Sequence, residues 1–583
     1  MALRLCCALT AAVAGAASAL SVSSAAGAND LRAAKIQQLA TQIKNEPRVL
    51  PVGGVNYPLY DGPMWAPGSL TTQIQQQELA AISNFRRASN TKAVQLAAKW
   101  AKDFDTLEDY TAFYDDVSGL IEKPLAADNS DVAFGAQRLA IKGFIMRAVN
   151  SDEFLKKPHR QSKKWIAQQD LSLHDDQIAQ VCGAGVTRAN IREQKKLFVS
   201  EYDQVSQYND AKQPQKFVAD VLGFFCFNSD KQQLLPVEIR LLQTGLAYTP
   251  FDTEEEWSLA KMALEAAEIS YQNMQHMAET HAMTIPIRVE AYRTMSDEHP
   301  VFALLMRHVY ADFALEALSA KMLLNVSTEV DKTFGWGASG AIRFLDYQMK
   351  NDNVYVTLEN DFLSDIKRRG LEHIPTHKYV TYGKKYWDAF DHFVKEYMHA
   401  YYPKEEALVG DVELQNWAAA CAKVSHLRGF PAKFESRDQL RKLMVHLIFQ
   451  SAFKHHTMNG ASSWHGVAMP YSVPALWKAL PTKKVTKGEK LNLIEWAIPK
   501  ELVPTQVLSP ALFYRAIPVT ETLLDAYRSA KFADEPLLFG AMREFETSVR
   551  KIDAELAQLE SNVTQEWPSQ LYRPAQLSYY TWI

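Results

Sequence analysis

The sequence predicts a large, mostly α-helical protein, and three observations carry that expectation. Apolar residues recur at i, i+3, i+4 and i+7 through most of the chain beyond residue 74. Runs with the alternation of a half-buried strand are few. No fixed-period repeat, low-complexity tract or Gly/Ser linker forces a boundary between domains. With 583 residues, 47% of them hydrophobic and 22% charged, the chain is long enough to enclose one large core, and it is read as a single domain.

In chain order, residues 1–28 read as a signal peptide. Arg4 stands ahead of an apolar stretch from Leu5 to Leu20, and Ala17-Ser18-Ala19 and Ala26-Gly27-Ala28 offer small-residue cleavage sites. The protein is therefore expected to be secreted: extracellular, or periplasmic if it comes from a bacterium. Residues 29–67 form an irregular arm, punctuated by Pro47, Pro51, Gly53, Gly54, Pro58, Gly62, Pro63 and Pro67. Helical periodicity follows through 74–104, 255–281, 299–325, 384–402, 411–426, 436–458 and 537–562. Thr253 with Glu256, and Ser436 with Gln439, have capping-box spacing and mark two helix starts. Strands are expected only at 355–358 (Tyr-Val-Thr-Leu) and 379–382 (Tyr-Val-Thr-Tyr). Between Trp257 and His281 almost no polar face is left, and a helix of that kind belongs in the middle of a large protein.

Composition narrows the function classes. Lys and Arg number 63 against 67 Asp and Glu, a net charge of −4, and no basic stripe with interleaved aromatics appears, so nucleic acid is excluded as a partner. No segment beyond the signal is long and apolar enough to span a bilayer. Cys6 and Cys7 leave with the signal. The remaining Cys182, Cys226 and Cys421 are an odd set, too sparse to staple the fold, and stability is expected from packing. Asn325-Val326-Ser327 and Asn562-Val563-Thr564 are glycosylation tripeptides.

Chemistry concentrates in two histidine pairs and the chain end. His276 and His281 are five apart, which in a regular α-helix separates their side chains by roughly 140°. A single π turn would bring both to one face, and such turns favour functional sites; two unrelated histidines are the alternative. His455 and Asn459, four apart, share one face of the helix that starts at Ser436, with His456 as a rival for His455. His373 and His377 have the same spacing, but Pro375 between them breaks the helix, and they are read as surface or packing residues. The terminal run Tyr579-Tyr580-Thr581-Trp582-Ile583 is apolar. Exposed tails are polar and fray, so this one is expected inside, carrying its α-carboxylate with it. Three imidazoles, an amide oxygen and a carboxylate oxygen suit Fe or Mn and lack the thiolates of a structural zinc site. No Gly-x-Ser-x-Gly elbow, P-loop, His-Glu-x-x-His or dinucleotide-binding fingerprint is present.

Taken together these residues resemble the lipoxygenase family, in family order from about 230 to 583. Tyr248-Thr249-Pro250, Trp257-x-x-Ala260-Lys261, Tyr271-Gln272 and His276-x4-His281 resemble its first metal-binding helix. His299-Pro300-Val301-x-x-Leu304-Leu305 resembles its His-Pro segment, and Asp411-Val412-Glu413-Leu414-Gln415-Asn416-Trp417 its Asp-x-Glu-Leu-Gln-x-Trp signature. His455-x3-Asn459 and Ile583 complete the pattern. The resemblance implies a helical catalytic domain and one non-haem Fe or Mn ion held by His276, His281, His455, Asn459 and the Ile583 carboxylate. A metal-bound hydroxide, with no side-chain base, would take a hydrogen atom from a bis-allylic CH2 of a polyunsaturated fatty acid of linoleate, linolenate or arachidonate type. O2 would then add, giving a hydroperoxide. A hydroperoxide isomerase or a non-catalytic fatty-acid-binding protein are the alternatives. The partners implied are the fatty acid and O2, with a monomeric chain and transient membrane association.

Arg293 to Pro300, the His455-His456 doublet and Leu480-Pro481-Thr482-Lys483-Lys484 are most similar to secreted fungal manganese lipoxygenases. These lack the N-terminal β-barrel of plant and animal members, and no run of alternating strands precedes residue 130 here. The residue that steers oxygen falls at Ser319, where the family usually has Ala or Gly. Tyr271 and Ser462 stand where many members have histidine and glutamine. Gln272, Leu304 and Leu323 are channel candidates, with core packing or hydrogen bonding as their other reading. Arg515 and Lys483 are candidate carboxylate anchors.

Overall fold

The computed structural model describes residues 71–81, 104–120, 122–151, 170–351, 357–424, 427–459, 463–486, 489–513, 517–529, 535–560 and 569–581, together with 34, 37–38, 50–52, 55–57, 95–96 and 532. The expected signal peptide, most of the arm, Tyr355-Val356, Ser462, Arg515, Asn562, Trp582 and Ile583 lie outside the described residues. From the arm a short hairpin is described, β1 (Leu50–Val52) against β2 (Val55–Tyr57).

Helices dominate, as expected. After α1 (Leu107–Asp116) and α2 (Asp131–Ala140) comes a five-stranded antiparallel sheet. Its strands are β3 (Arg147–Ala148), β4 (Leu197–Tyr202), β5 (Val221–Asn228), β6 (Gln233–Leu241) and β7 (Leu246–Tyr248), with α3 (Asp175–Cys182) between the first two. The sequence reading missed this sheet for a physical reason. β4 is buried at every position and β5 and β6 nearly so, so they present continuous apolar runs instead of alternation.

The sheet supports the central helix α4 (Glu254–His276), which packs on β5 and β6. α4 starts where its capping residues predict: the Thr253 hydroxyl accepts from the Glu256 amide at 3.3 Å, and three glutamates in the first turn suit the positive end of the helix. Close approach is set by two glycines. A Cβ on Gly223 would run into Leu264 of α4, and one on Gly135 of α2 would run into the Leu234 carbonyl of β6. Polar groups of α4 facing α2 are paired in the dry interior: Arg138 meets Glu265 at 2.8 Å and Glu268 at 2.6 Å, Lys142 meets Glu265, and the Tyr202 hydroxyl donates to Glu268 at 3.0 Å. Removing one partner of such a network costs about 3–5 kcal/mol, because the other charge stays buried.

Beyond α4 the chain continues through α5 (Ala282–Thr294), α6 (Pro300–His308), α7 (Asp312–Met322), α8 (Glu329–Thr333), α9 (Gly337–Lys350) and α10 (Phe362–Arg369). It then forms α11 (Lys378–Tyr401), α12 (Val412–Cys421), α13 (Arg437–Phe449), α14 (His455–Asn459), α15 (Val503–Phe513) and α16 (Phe539–Glu560). α11 packs against α13 and α16, and α4 against α14. The single helix expected over 299–325 is two, because Ala311 takes a left-handed φ of 71° and turns the chain between α6 and α7.

Three expectations are corrected. Residues 379–382 are not a strand but the first turn of α11, where Tyr379, Val380, Tyr382, Gly383, Tyr386 and Trp387 bury a helical stripe, so tertiary burial overrides local β propensity. Of the other expected strand, Thr357 and Leu358 form a bend and turn, with Leu358 bonded to the Arg428 carbonyl. The cysteines do supply a staple: Cys182 at the end of α3 is bonded to Cys226 of β5 across 44 residues, while Cys421 is free and buried. Sequence spacing carried no sign of the pair, because the sheet brings it together.

Replacing Cys182 and Cys226 together by alanine should lower unfolding stability by about 2–4 kcal/mol through lost loop closure, read as a lower urea midpoint at unchanged far-UV dichroism.

Candidate metal centre

The site begins with a defect in α4. After His276 the helix makes one π turn, Met277–His281, in which the Ala282 amide reaches back five residues to the Met277 carbonyl, and α5 then continues. The turn takes up the extra residue that a five-residue spacing requires. The His276 and His281 rings come to 5.6 Å between centroids. A second π turn, which the sequence reading did not foresee, lies between α13 and α14 at Gln450–Lys454 and leads directly into His455. Ser436 caps α13 as expected, its hydroxyl accepting from Gln439 at 3.2 Å.

Three ring nitrogens, one each from His276, His281 and His455, lie within 4.8 Å of one another, and all three residues are buried. The Nε2 atoms of His281 and His455 face each other at 2.9 Å. Burial lowers the His276 pKa to about 4 and pushes His281 well below its ordinary value, the neighbouring imidazoles of His276 and His456 adding to that effect. The two imidazoles are therefore neutral at pH 7, the form that donates a lone pair to a cation. Asn459 lines the same cavity as His276 and His281. His456, the rival for His455, is partly exposed and outside the triple; His373 and His377 are outside it too, His377 being a buried residue at the start of α11. This donor set fits one ion with nitrogen and oxygen preferences.

A cavity lies beside the imidazoles, and its lining is mostly apolar. Ser319 of α7 and Leu323, which follows its last residue, line it, as do Asn273, Gln506 and Glu329. Leu304 and Gln272 are not among the lining residues. Leu304 is fully buried in the core. Gln272 donates its amide to the Ile141 carbonyl at 2.6 Å and to the Met458 carbonyl at 2.9 Å, tying α4 to the helix that carries Asn459. Lys483 also lies outside the lining set.

The chain end is held inside as far as it is described. Ser578 pairs with Thr522 in an antiparallel bridge, and the Leu523 amide donates to the Leu577 carbonyl at 2.8 Å. His308 Nδ1 donates to the Tyr579 carbonyl at 2.5 Å, which leaves Nε2 to accept from the Tyr527 hydroxyl at 3.0 Å. Arg307 stacks 3.7 Å over the Tyr579 ring. The Tyr580 hydroxyl donates to Glu521, and the Thr581 hydroxyl to the fully buried Asp312. Ile583 itself lies outside the described residues.

The signature residues found in the sequence act on the frame. Asp411 caps α12, accepting from the Leu414 amide at 3.0 Å, and its other oxygen meets His299 at 3.0 Å and Tyr402 at 2.8 Å. Glu413 accepts from the Ser296 amide at 2.7 Å, and the Trp417 indole donates to the Ile287 carbonyl at 3.1 Å. They fix α5, which follows the first π turn.

The sequence model of the lipoxygenase family matches residues 71–569. A manganese lipoxygenase of Colletotrichum gloeosporioides is 25% identical over 497 residues, covering 79% of this chain and 76% of the relative. The solved manganese lipoxygenase of Gaeumannomyces graminis matches with a TM-score of 0.78 at 22% identity, covering 95% of this chain and 98% of the other. A lipoxygenase solved in complex with arachidonate gives a TM-score of 0.74 at 19% identity, covering 95% and 81%. These structural likenesses agree with the fold described above.

Asp312 generates a pH prediction. Burial raises its carboxyl to about 7, against the pull of the Thr284 and Thr581 hydroxyls. Because the folded-state pKa is raised, its contribution to stability is complete below about pH 4 and is lost as pH rises through about 7. Asp312→Asn cannot ionise, so its calorimetric midpoint should gain on the parent's between pH 5 and pH 8; a constant difference would contradict the assignment.

Proposed function

The chain belongs to the lipoxygenase family, and from that premise we propose that it inserts O2 into polyunsaturated fatty acids, giving hydroperoxides, at one non-haem ion held by His276, His281, His455, Asn459 and the α-carboxylate of Ile583. The observation that carries this reading is the convergence of three buried imidazoles within 4.8 Å, two of them, His276 and His281, at the wall of a mostly apolar cavity. When bound, the ion supplies the one-electron oxidation that removes a hydrogen atom from a bis-allylic CH2, and O2 then adds to the pentadienyl radical.

The protein's own residues provide the rest. Ile269, Met274, Leu323, Val330 and Phe334 surround the acyl chain with side chains that neither give up hydrogen bonds nor admit much water, so a carbon radical is kept from solvent. Ser319 offers a hydroxymethyl group where the chain passes the imidazoles, and its bulk limits the side from which O2 approaches. Gln272, through its bond to the Met458 carbonyl, holds the two ligand helices in one register. Manganese is the ion we favour, since several relatives, those of Colletotrichum gloeosporioides and Gaeumannomyces avenae among them, are named for it; nitrogen and oxygen donors take either metal.

The same reading makes residues 1–28 a secretory signal. The Cys182–Cys226 disulfide supports it, because such bonds persist in oxidising compartments, and Asn325 lies exposed at a turn, where an acceptor site must be. The reading takes the chain as a monomer that meets membranes transiently. No helix among the described residues is long and apolar enough to cross one.

Purified full-length protein incubated with linoleate or arachidonate should raise the ultraviolet absorbance of a conjugated diene, with Mn exceeding Fe on metal analysis. Consumption of added hydroperoxide without diene formation would indicate isomerisation, and neither would indicate a binding protein. His281→Ala should lose metal and at least about 100-fold in rate, and residues appended after Ile583 should do nearly the same. A C-terminally extended protein with full metal content and rate would refute the terminal ligand. Ser319→Ala should change the ratio of product positions or enantiomers at unchanged metal content; chiral chromatography showing the parent ratio would refute the steering role.

A further inference from the structure

A π turn contains one residue more than the α-helix around it, and backbone hydrogen bonding alone does not fix where that residue sits, since moving the turn by one position exchanges one i to i+5 bond for another. Here two such turns face each other; the first ends in His281 and the second leads directly into His455. Each also contains one charged side chain of opposite sign, Glu279 in the first and Lys454 in the second, and the two are paired. Gln275, one turn earlier on α4, donates its amide to the other Glu279 oxygen at 2.8 Å. The pair is out of water, with side-chain exposures of 2% for Glu279 and 9% for Lys454.

A buried ion pair is a poor way to gain stability, because apolar residues of similar volume do as well or better, but it is exacting about position. Sliding either turn by one residue would rotate its charged side chain by roughly 100° away from the partner and leave two uncompensated charges in the interior. Glu279 stands two residues before His281, and Lys454 immediately precedes His455, so the backbone that the pair fixes is the backbone that aims the two Nε2 atoms lying 2.9 Å apart.

We propose that Glu279 and Lys454 are positioning residues, a charge clamp between the two π turns that sets the register of His281 and His455 for metal binding. The inference rests on the metal reading of the site. It is tested on full-length protein freed of metal and titrated with Mn(II), free ion being followed by electron paramagnetic resonance and the bound ion by its frozen-solution spectrum. Glu279→Gln and Lys454→Met should each weaken Mn(II) binding by about 10–100-fold and alter the bound-ion spectrum. The exchanged pair, Glu279→Lys with Lys454→Glu, should recover most of the affinity, a rescue that general destabilisation would not give. Folded single variants with the parent's affinity and spectrum would overturn the clamp, as would an exchanged pair that folds yet binds no better than the singles. Should the singles fail to fold, Glu279→Leu with Lys454→Met leaves no charge buried and should fold while binding Mn(II) at least tenfold more weakly; parent affinity in that variant overturns the proposal. A parent protein that takes up neither Mn(II) nor Fe(II) would instead sink the metal reading itself.

Discussion

A helix of 3.6 residues per turn cannot point residues five apart at one ion, and the site depends on how this chain escapes that geometry. The continuous run from α4 to α5 takes up one surplus residue in the π turn Met277–His281, and the run from α13 to α14 does the same at Gln450–Lys454. Both turns lie in the interior, where a misplaced backbone group would have no water to turn to. Tight packing around them is therefore a requirement. It is met by the sheet beneath α4, by the Gln272 bridge to Met458, and by the Trp417 indole on the Ile287 carbonyl.

The same demand explains how much polar chemistry is spent away from the cavity. Arg138, Lys142, Glu265, Glu268 and Tyr202 satisfy one another around the turns of α4 that precede the imidazoles. His308, Arg307, Asp312 and Glu521 hold the last described residues of the tail. With these groups paired, the cavity wall can remain mostly apolar, which a fatty acyl chain and a carbon radical both need. Position and dryness, more than any acid or base side chain, are what the protein contributes.

Much of this was legible in the residues. The five-residue spacing of His276 and His281 reads either as a π turn that brings both to one face or as two unrelated histidines, and the turn is there. Capping boxes at Thr253 and Ser436 located both ligand helices. The apolar tail predicted its own burial, borne out to Thr581. Other features left no local trace. Strands β4 to β6 are buried on both faces and lack the alternation that marks a half-buried strand. Cys182 and Cys226 are brought together only by the sheet, and Tyr379–Tyr382 look like a strand until α11 buries one side of them. Gln272 and Leu304 are channel candidates by family resemblance, and on a buried helix the sequence cannot tell a wall from a core. The second π turn was invisible because His455 and Asn459, four apart, need none themselves; it lies just before them.

The central claim is that two π turns and the chain end deliver their donors to one point. The most direct measurement is anomalous diffraction from crystals of the full-length protein, with data on both sides of the Mn and Fe absorption edges. The account predicts one peak, within bonding distance of the His276, His281 and His455 ring nitrogens, the Asn459 amide oxygen and the Ile583 carboxylate. No peak among these side chains in metal-replete crystals, or a peak held by a different set of residues, would contradict it.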